Sequence, residues 1–314
     1  MKLAFILDPL ETLKIYKDSS YAMMREAASR NHEIYTIQQE DLIWKDDTVV
    51  CYARSLTLAE PTGSGTDWYR NGDRHMLPMQ AFDAVLMRKD PPFNMEYLYS
   101  TYLLELAERQ GARVINSPRS IRDFNEKLAI ARFPQFMPPT LVTRQEPLIM
   151  EFLHQHRDII LKPLDSMGGS GIFRIHDADH NVNVILETMT HYGTRTIMAQ
   201  RFIPEIVKGD KRILLIAGKP VPYALARIPK PGETRGNLNT GGTGVAQPLS
   251  DYDKEIAETL GPELVEQGLL LVGLDVIGDC LTEINVTSPT GIQEIYKQTG
   301  FNAAGMMIDA VEDN

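Results

Sequence analysis

An α/β fold that turns α+β in its C-terminal part is predicted for this chain, and three observations carry the prediction. Short, continuously apolar runs end in breakers, as at residues 3–7 before Asp8-Pro9, which is the pattern of a strand covered on both faces. Such runs alternate with helical spacing over roughly the first 120 residues, the order of a small parallel α/β domain. Beyond them Phe133-Pro134 and Pro138-Pro139 punctuate the chain, and strands become more frequent than helices. At 314 residues the chain is long enough for two or three domains.

Taken in order, residues 3–7 form a buried strand. Ser19 and Ser20 cap a helix in which Tyr21, Met24, Ala27 and Ala28 fall at helical spacing, stopping at Asn31-His32. Residues 34–37 complete a β-α-β unit. Residues 84–87 read as a strand, 96–110 as a helix ended by Gly111, and 113–115 as a further strand. The chain divides into domains at 1–122, 123–202 and 203–314. The second carries strands at 141–142, 159–162, 172–175 and 196–200 and helices at 146–156 and 181–191, a compact unit suited to covering a ligand. In the third, two apolar segments over 211–227 flank Gly218-Lys219-Pro220 as a hairpin, and the closing region supplies a helix, two strands and a final helix. Residues 229–248, with glycines at 232, 236, 241, 242 and 244, read as a structureless loop, either packing material or a mobile lid. Lys230 and Arg235 within it favour a lid over an anionic ligand.

Composition narrows the function. With 32 Lys+Arg against 42 Asp+Glu the formal charge is −10, which argues against a general grip on nucleic acid or anionic membranes. Two cysteines, Cys51 and Cys280, cannot build a disulfide framework or a multi-thiolate metal site and suit a reducing compartment. The opening apolar run is too short for a signal peptide, and no apolar stretch approaches the roughly 20 residues of a membrane span. A soluble, cytoplasmic protein is expected. The G-x-x-x-x-G-K-[ST] and G-x-G-x-x-G phosphate motifs are absent, as are H-E-x-x-H and the hydrolase G-x-S-x-G.

Two features remain that bear on chemistry. Lys162 ends an apolar run and is followed by Gly168, Gly169, Ser170 and Gly171, a turn whose backbone amides can form an anion-binding concavity, although an exposed hairpin fits the same residues. Glu283 and Asn285 are two apart and share one face of a predicted strand, with Asp275 on the strand before it, all in an apolar setting. Oxygen donors so placed suit a hard cation such as magnesium, while solvent-facing positions on a sheet edge explain the same alternation. The two carboxylates pair only if the turn between them is longer than Gly278-Asp279 or a bulge intervenes, and the longer or bulged turn is predicted. Lys127, Lys162, Arg212 and Arg227 lie near strand ends, where they are suited to neutralising a nucleotide and a carboxylate.

These residues carry a resemblance. The segments Met87-Arg-Lys-Asp-Pro-Pro-Phe93, Asn125-Glu-Lys-Leu128, Ile160-Leu-Lys-Pro-Leu-Asp-Ser-Met-Gly-Gly169, Ala226-Arg-Ile-Pro229, Gly232-Glu-Thr-Arg-Gly-Asn237 and the run from Gly273 to Thr290 resemble the bacterial glutathione synthetase family of ATP-grasp ligases over nearly the whole chain. The resemblance implies an ATP-grasp fold behind an N-terminal parallel α/β domain, and a cytoplasmic homotetramer. It implies ligation of γ-glutamylcysteine to glycine with ATP as substrate and Mg2+, or Mn2+, as the metal. It assigns Lys127, Lys162, Gly168, Gly169, Ser170, Gly171, Gln200, Arg201, Phe202, Ile203 and Asp210 to the nucleotide, the last to its ribose. It assigns Asp275, Glu283 and Asn285 to the metal, and Ser19, Arg88, Ser288, Pro289 and Thr290 to γ-glutamylcysteine. Arg212 and Arg227 are implied to stabilise the reacting phosphoryl and tetrahedral species, and Arg235 to sit in a closing loop.

Ser166, Ser170, Arg201 and Gly291 depart from the family pattern, the first two putting the mobility of the glycine turn in question and the others affinity. The chemistry implied needs no protein nucleophile: ATP converts a carboxylate into an acyl phosphate, which an amine then attacks. Another ATP-grasp carboxylate-amine ligase, of the D-alanine–D-alanine or amino-acid type, is the alternative. A non-catalytic ATP-binding regulator on the same scaffold is a third reading.

Overall fold

The computed structural model describes residues 1–60, 67–233, 236 and 241–313, in which three sheets follow one another along the chain. The first is built on β1 (Lys2–Ile6), whose continuous apolar run lies between the parallel partners β2 (Glu33–Ile37) and β6 (Ala84–Met87), with β7 (Val114–Ile115) parallel beyond β6. Helix α1 (Ser19–Ser29) connects β1 to β2, and α2 (Met95–Arg109) connects β6 to β7. The sheet is not purely parallel, as the sequence had implied. Strands β3 (Leu42–Lys45), β4 (Thr48–Leu58) and β5 (Tyr69–Pro78) extend it as an antiparallel ribbon, β4 pairing with β2. The cap of α1 also differs from expectation. Asp18 accepts the Tyr21 amide at 2.7 Å, while Ser19 and Ser20 are buried in the first turn; a carboxylate there satisfies an orphan donor and faces the positive end of the helix dipole.

The second sheet is antiparallel, in the order β10 (Phe173–His176), β9 (Asp158–Pro163), β11 (Ile197–Arg201), β8 (Thr140–Thr143). Helix α3 (Pro118–Asp123) leads toward it, and α4 (Glu146–His156) and α5 (Val182–Thr190) close a core of its own from Ile149, Leu153, Ile159, Leu161 and Leu186.

The third sheet runs β15 (Thr243–Pro248), β14 (Tyr223–Ile228), β12 (Asp210–Ile216), β16 (Leu271–Ile277), β17 (Cys280–Asn285), with β13 (Lys219–Pro220) paired to β12 beside the Gly218 turn. Strand β15 corrects the expectation of a structureless segment to residue 248, since its backbone completes a ladder with β14. Helix α6 (Asp251–Glu266) follows. Two helices, α7 (Ile292–Thr299) and α8 (Ala303–Glu312), stand where one was expected, separated at Gly300, whose φ of +76° ends the first. They pack back on the first sheet: Ile295, Met307, Ile308 and Val311 share one core with Leu3, Phe5, Met23 and Met24.

The first and third sheets are therefore joined by apolar burial as well as by the chain. Asn116 adds a polar tie, its amide donating to Leu271 O and Val286 O and accepting the Leu270 and Leu271 amides.

One surface group of the first sheet gives a pH test. Burial pushes the Glu108 carboxyl on α2 up to about 7, with repulsion from Glu105 adding to it and Arg122 opposing. Between its ordinary value and about 7 the folded chain holds a proton that the unfolded chain has lost, so this contribution is full in acid and fades as pH rises through 7. Glu108→Gln is expected to raise stability at pH 8 by about 1 kcal/mol, solvent screening of a half-exposed carboxyl reducing the full effect of the shift, and to change little in mild acid. Denaturation midpoints at the two pH values check it; an equal change at both would refute it.

Candidate active site

Strand β1 has β2 on one side and β6 on the other, so the chain reverses direction across the sheet beside it. Crevices form outside the carboxyl ends of parallel strands at such a point. Asp8, just past β1, and Asp90, just past β6, line a cavity there together with Lys14, Asp18, Ser288, Thr290 and Glu294. A second cavity lies between the four-stranded sheet and the third sheet, lined by Lys127, Lys162, Gly168, Gly169, Gln200, Arg201, Phe202, Ile203, Asp210, Asp275, Glu283 and Asn285. The two share Glu126, Met167, Gly168, Arg212 and Asn285.

The turn after β9 bends over this junction. Gly168, Gly169 and Gly171 take φ of +64°, +79° and +68°, a conformation in which a side chain is strained whatever the space around it. Ser166 has no such φ, so serine in place of glycine costs no backbone strain; its carbonyl accepts a hydrogen bond from Lys127 Nζ. Gly291, the other glycine departure, caps α7 at a φ of +119°. Arg201 sits exposed at the cavity rim at the end of β11. Ile160, Ile172, Ile203, Ile206 and Ile277 supply an apolar wall, and Arg174 lies over the Phe202 ring at 3.5 Å.

On the third sheet, β16 and β17 are joined by the short turn at Gly278-Asp279, with Ile277 opposite Cys280. A bulge then inserts one residue, and Asp275 comes opposite Glu283. The bulged alternative of the prediction thus holds, while the turn itself stays short. Thr282, the extra residue, donates from Oγ1 to Asp275 O at 3.1 Å.

Asp275 is 3% exposed and lies between two arginines brought in by β12 and β14. Arg212 grips both its oxygens, and Arg227 Nη2 reaches Oδ2 at 2.8 Å while also pairing with Asp210. Burial alone would raise the Asp275 carboxyl; Arg212 and Arg227 outweigh it and hold the group well below the usual carboxylate range. Asp210 goes the other way, pushed up to about 6 by burial against the opposing pull of Arg227, and its Oδ1 is buried without a hydrogen-bond partner among the described residues. An orphaned acceptor in a cavity wall suits a ligand hydroxyl. Lys162 is buried, which depresses its ammonium, with Glu283 opposing most strongly.

The donor set accommodates a hard cation with limits. Asn285 Nδ2 donates to Gly273 O at 3.1 Å, which leaves its amide oxygen for the cavity, and Glu283 Oε1 is 3.9 Å from Lys127 Nζ. Both Asp275 oxygens are engaged by arginine, Oδ2 by two of them, which leaves Oδ1 the freer oxygen for a metal. Among the described residues no group of three or more His, Cys, Asp or Glu side chains is placed to hold a metal, so a cation here would complete its shell from phosphate oxygens and water, as magnesium does.

Several expected residues stand behind the cavity walls. Arg88 is buried, donating to Ser20 Oγ at 3.1 Å and to Pro289 O at 3.0 Å, and Ser19 Oγ accepts the Ile292 amide at 3.4 Å. Neither lines either of these two cavities, nor do Pro289, Ser170 and Gly171. Arg235 lies outside the described residues. Glu126, Ile160, Met167, Asp8, Asp18, Asp90 and Glu294 are wall residues that the sequence did not single out. Ile160 was within reach, being two before Lys162 on one strand face.

Comparison with known proteins follows the same geography. A model of the N-terminal domain of prokaryotic glutathione synthetase matches residues 1–122, and a model of that enzyme's ATP-grasp domain matches residues 126–300. The glutathione synthetase of Nitrosomonas europaea is 71% identical over 314 residues, covering 100% of this chain and 98% of the relative. That of Ralstonia nicotianae is 61% identical, covering 99% and 95%. Among solved structures, D-cycloserine synthetase DcsG aligns with a TM-score of 0.70 at 13% identity, covering 100% and 99% of the two chains. A RimK domain ATP-grasp protein from Sphaerobacter thermophilus aligns at 0.63 and 18%, covering 99% and 100%. At such identities these structural likenesses establish the fold, which is ATP-grasp.

Proposed function

The chain belongs to the prokaryotic glutathione synthetase family, and from that premise we propose that it joins γ-glutamylcysteine to glycine, converting ATP to ADP and phosphate through an acyl phosphate. The observation that carries this reading is the meeting of the two cavities at Glu126, Met167, Gly168, Arg212 and Asn285, where a phosphoryl donor held in one would face a carboxylate held in the other. In this reading the isoleucine wall and the segment Gln200, Arg201, Phe202 and Ile203 take the adenine. Asp210 takes the ribose, and Lys127, Lys162 and the glycine turn take the phosphates. The crevice past β1 and β6 takes γ-glutamylcysteine, with Ser288 and Thr290 in its wall and Ser19, Arg88 and Pro289 supporting them from behind.

A carboxylate does not accept an amine at neutral pH. In the first step its oxygen attacks the γ-phosphorus and ADP departs; Arg212, Lys127 and Lys162 reduce the repulsion between two anions. In the second, the free amine of glycine attacks the acyl carbon, the C–N bond forms, and phosphate leaves with the electrons of the C–O bond, taking up the proton that the amine nitrogen sheds. Arg227 and Arg212 are the proposed donors to the tetrahedral oxyanion. Glu283 and Asn285, with Asp275 behind them, are the proposed ligands of Mg2+ or Mn2+; when bound, the ion adds charge neutralisation at the phosphates. Arg235 is proposed, on the family resemblance, to help keep water from the acyl phosphate.

We also propose the domain division 1–122, 123–202 and 203–314, a homotetramer and a cytoplasmic location. Among the described residues no helix is long and apolar enough to cross a membrane.

Phosphate release from magnesium-ATP tests the reading. Release is expected only when γ-glutamylcysteine and glycine are both present, and to fall to background when either is omitted or glycine is replaced by D-alanine. Release supported only by another acid and amine would keep the scaffold and overturn the substrates.

A further inference from the structure

We propose that Glu126 is a positioning residue for the transfer step, holding the backbone between Asn285 and Ser288 where the two cavities meet. The inference rests on the ligase reading above.

Glu126 lines both cavities. One carboxylate oxygen, Oε1, accepts three hydrogen bonds: from Val286 N at 3.0 Å, Thr287 N at 3.1 Å and Thr287 Oγ1 at 2.8 Å. Two consecutive amides converging on one anion form a concavity that needs negative charge to fill it. Bonds to an ionised acceptor are about twice as strong as neutral ones. Immediately before this pair of amides stands Asn285, a proposed metal ligand, and immediately after it Ser288, in the wall of the substrate crevice. The Glu126 carbonyl accepts the Ile284 amide at 2.8 Å, so the same residue grips β17 from its main chain as well.

Its neighbours reach the other side of the junction. Asn125 Nδ2 donates to Leu164 O at 2.9 Å and Lys127 Nζ to Ser166 O, both in the turn that bends over the phosphate region. Three consecutive side chains thus tie the glycine turn, the metal-donor strand and the substrate loop into one frame. Burial raises the Glu126 carboxyl, against the Thr287 bonds that favour its charge. A carboxylate kept in so unfavourable a place is costly as mere packing, and its three donors all belong to the backbone and side chain that separate the reacting groups. Transfer requires the attacking oxygen and the γ-phosphorus in line, and a misplacement of about 1 Å costs roughly 100-fold in rate.

The test measures turnover, the KM for ATP and the ratio of phosphate released to peptide bond formed, for the full chain with magnesium-ATP, γ-glutamylcysteine and glycine. Glu126→Ala is expected to lower turnover by about 100-fold with the KM for ATP within about threefold of the parent. Its phosphate-to-product ratio should rise above one, because a misaligned acyl phosphate meets water before it meets the amine. Glu126→Gln keeps an acceptor oxygen for the three donors and is expected to restore most of the turnover and a ratio of one. A purely structural role would lower the melting temperature but leave the ratio at one and turnover per folded molecule unchanged, which would overturn the inference. So would a raised KM for ATP with turnover intact.

If Glu126→Ala does not fold, Thr287→Val removes one donor and keeps the two amides. A ratio above one in that variant supports the inference, and an unchanged ratio and turnover refute it. Failure of the unmodified enzyme to require both substrates would instead overturn the ligase reading itself.

Discussion

Replacing Glu283 with alanine is expected to lower turnover by about 1,000-fold or more, the scale on which loss of a metal's charge stabilisation at a phosphoryl group is felt. The fold should survive it. Glu283 has a side chain 21% exposed and its ion pair with the buried Lys127 is 3.9 Å long, so its loss is expected to cost less than breaking a close, fully buried pair, which is about 3–5 kcal/mol. Nucleotide binding should persist as well, because Lys127 and Lys162 remain in the cavity wall and both are buried there. The expected signature is therefore a collapse of kcat at saturating magnesium-ATP, a modest change in ATP affinity, and a circular dichroism spectrum like that of the parent. Retained turnover would remove Glu283 from any role in holding a cation.

The parts of this site that were legible in the sequence are those written locally. An apolar run ending at Lys162 and followed by glycines states both a strand and a turn, and β9 with its positive-φ glycines matches it. Spacing of two put Glu283 and Asn285 on one face, and demanding that Asp275 join them required the bulge that is found. What stayed hidden is non-local. Arg212 and Arg227 meet Asp275 because sheet order places β12 beside both β14 and β16, and no sequence period reports which strands become neighbours.

Glu126 was quoted within a motif but not chosen, since its partners at 286 and 287 lie 160 and 161 residues away. The antiparallel ribbon of β4 and β5 was missed for a different reason. Val49, Cys51 and Ala53 do alternate into the core, but β5 is polar and carries Arg70, Asp73, Arg74 and His75, so only half of the hairpin shows the strand period. Strand β15 was lost in the same way, the glycines at 241, 242 and 244 making its residues read as loop as far as Pro248 although they pair with β14.

Asp275→Ala separates a cation site from a charge network, because it is expected to damage both activity and stability where Glu283→Ala damages activity alone. The buried Arg212, Arg227 and Asp275 and the partly buried Asp210 form a quartet with two charges of each sign. Removing Asp275 leaves two guanidinium groups facing one carboxylate, and breaking a buried pair by deleting one partner costs about 3–5 kcal/mol. The depressed pKa of Asp275 points the same way. A folded-state value below the ordinary one means a contribution present at all pH values above the unfolded carboxyl range and lost only in stronger acid, so the penalty of the substitution should be undiminished from about pH 7 to 9, above the titration of Asp210 at about 6.

Turnover should fall by about 1,000-fold as well, since Arg212 and Arg227 lose the anchor that aims them at the reacting groups. A double variant that also removes Arg212 distinguishes the causes. If the quartet sets stability, deleting Arg212 with Asp275 restores charge balance and recovers a measurable share of the lost stability, a coupling of about 1–3 kcal/mol in a double-mutant cycle. A denaturation midpoint for Asp275→Ala within about 1 kcal/mol of the parent would show that the arginines are held elsewhere, and would leave Asp275 with the cation as its sole proposed role.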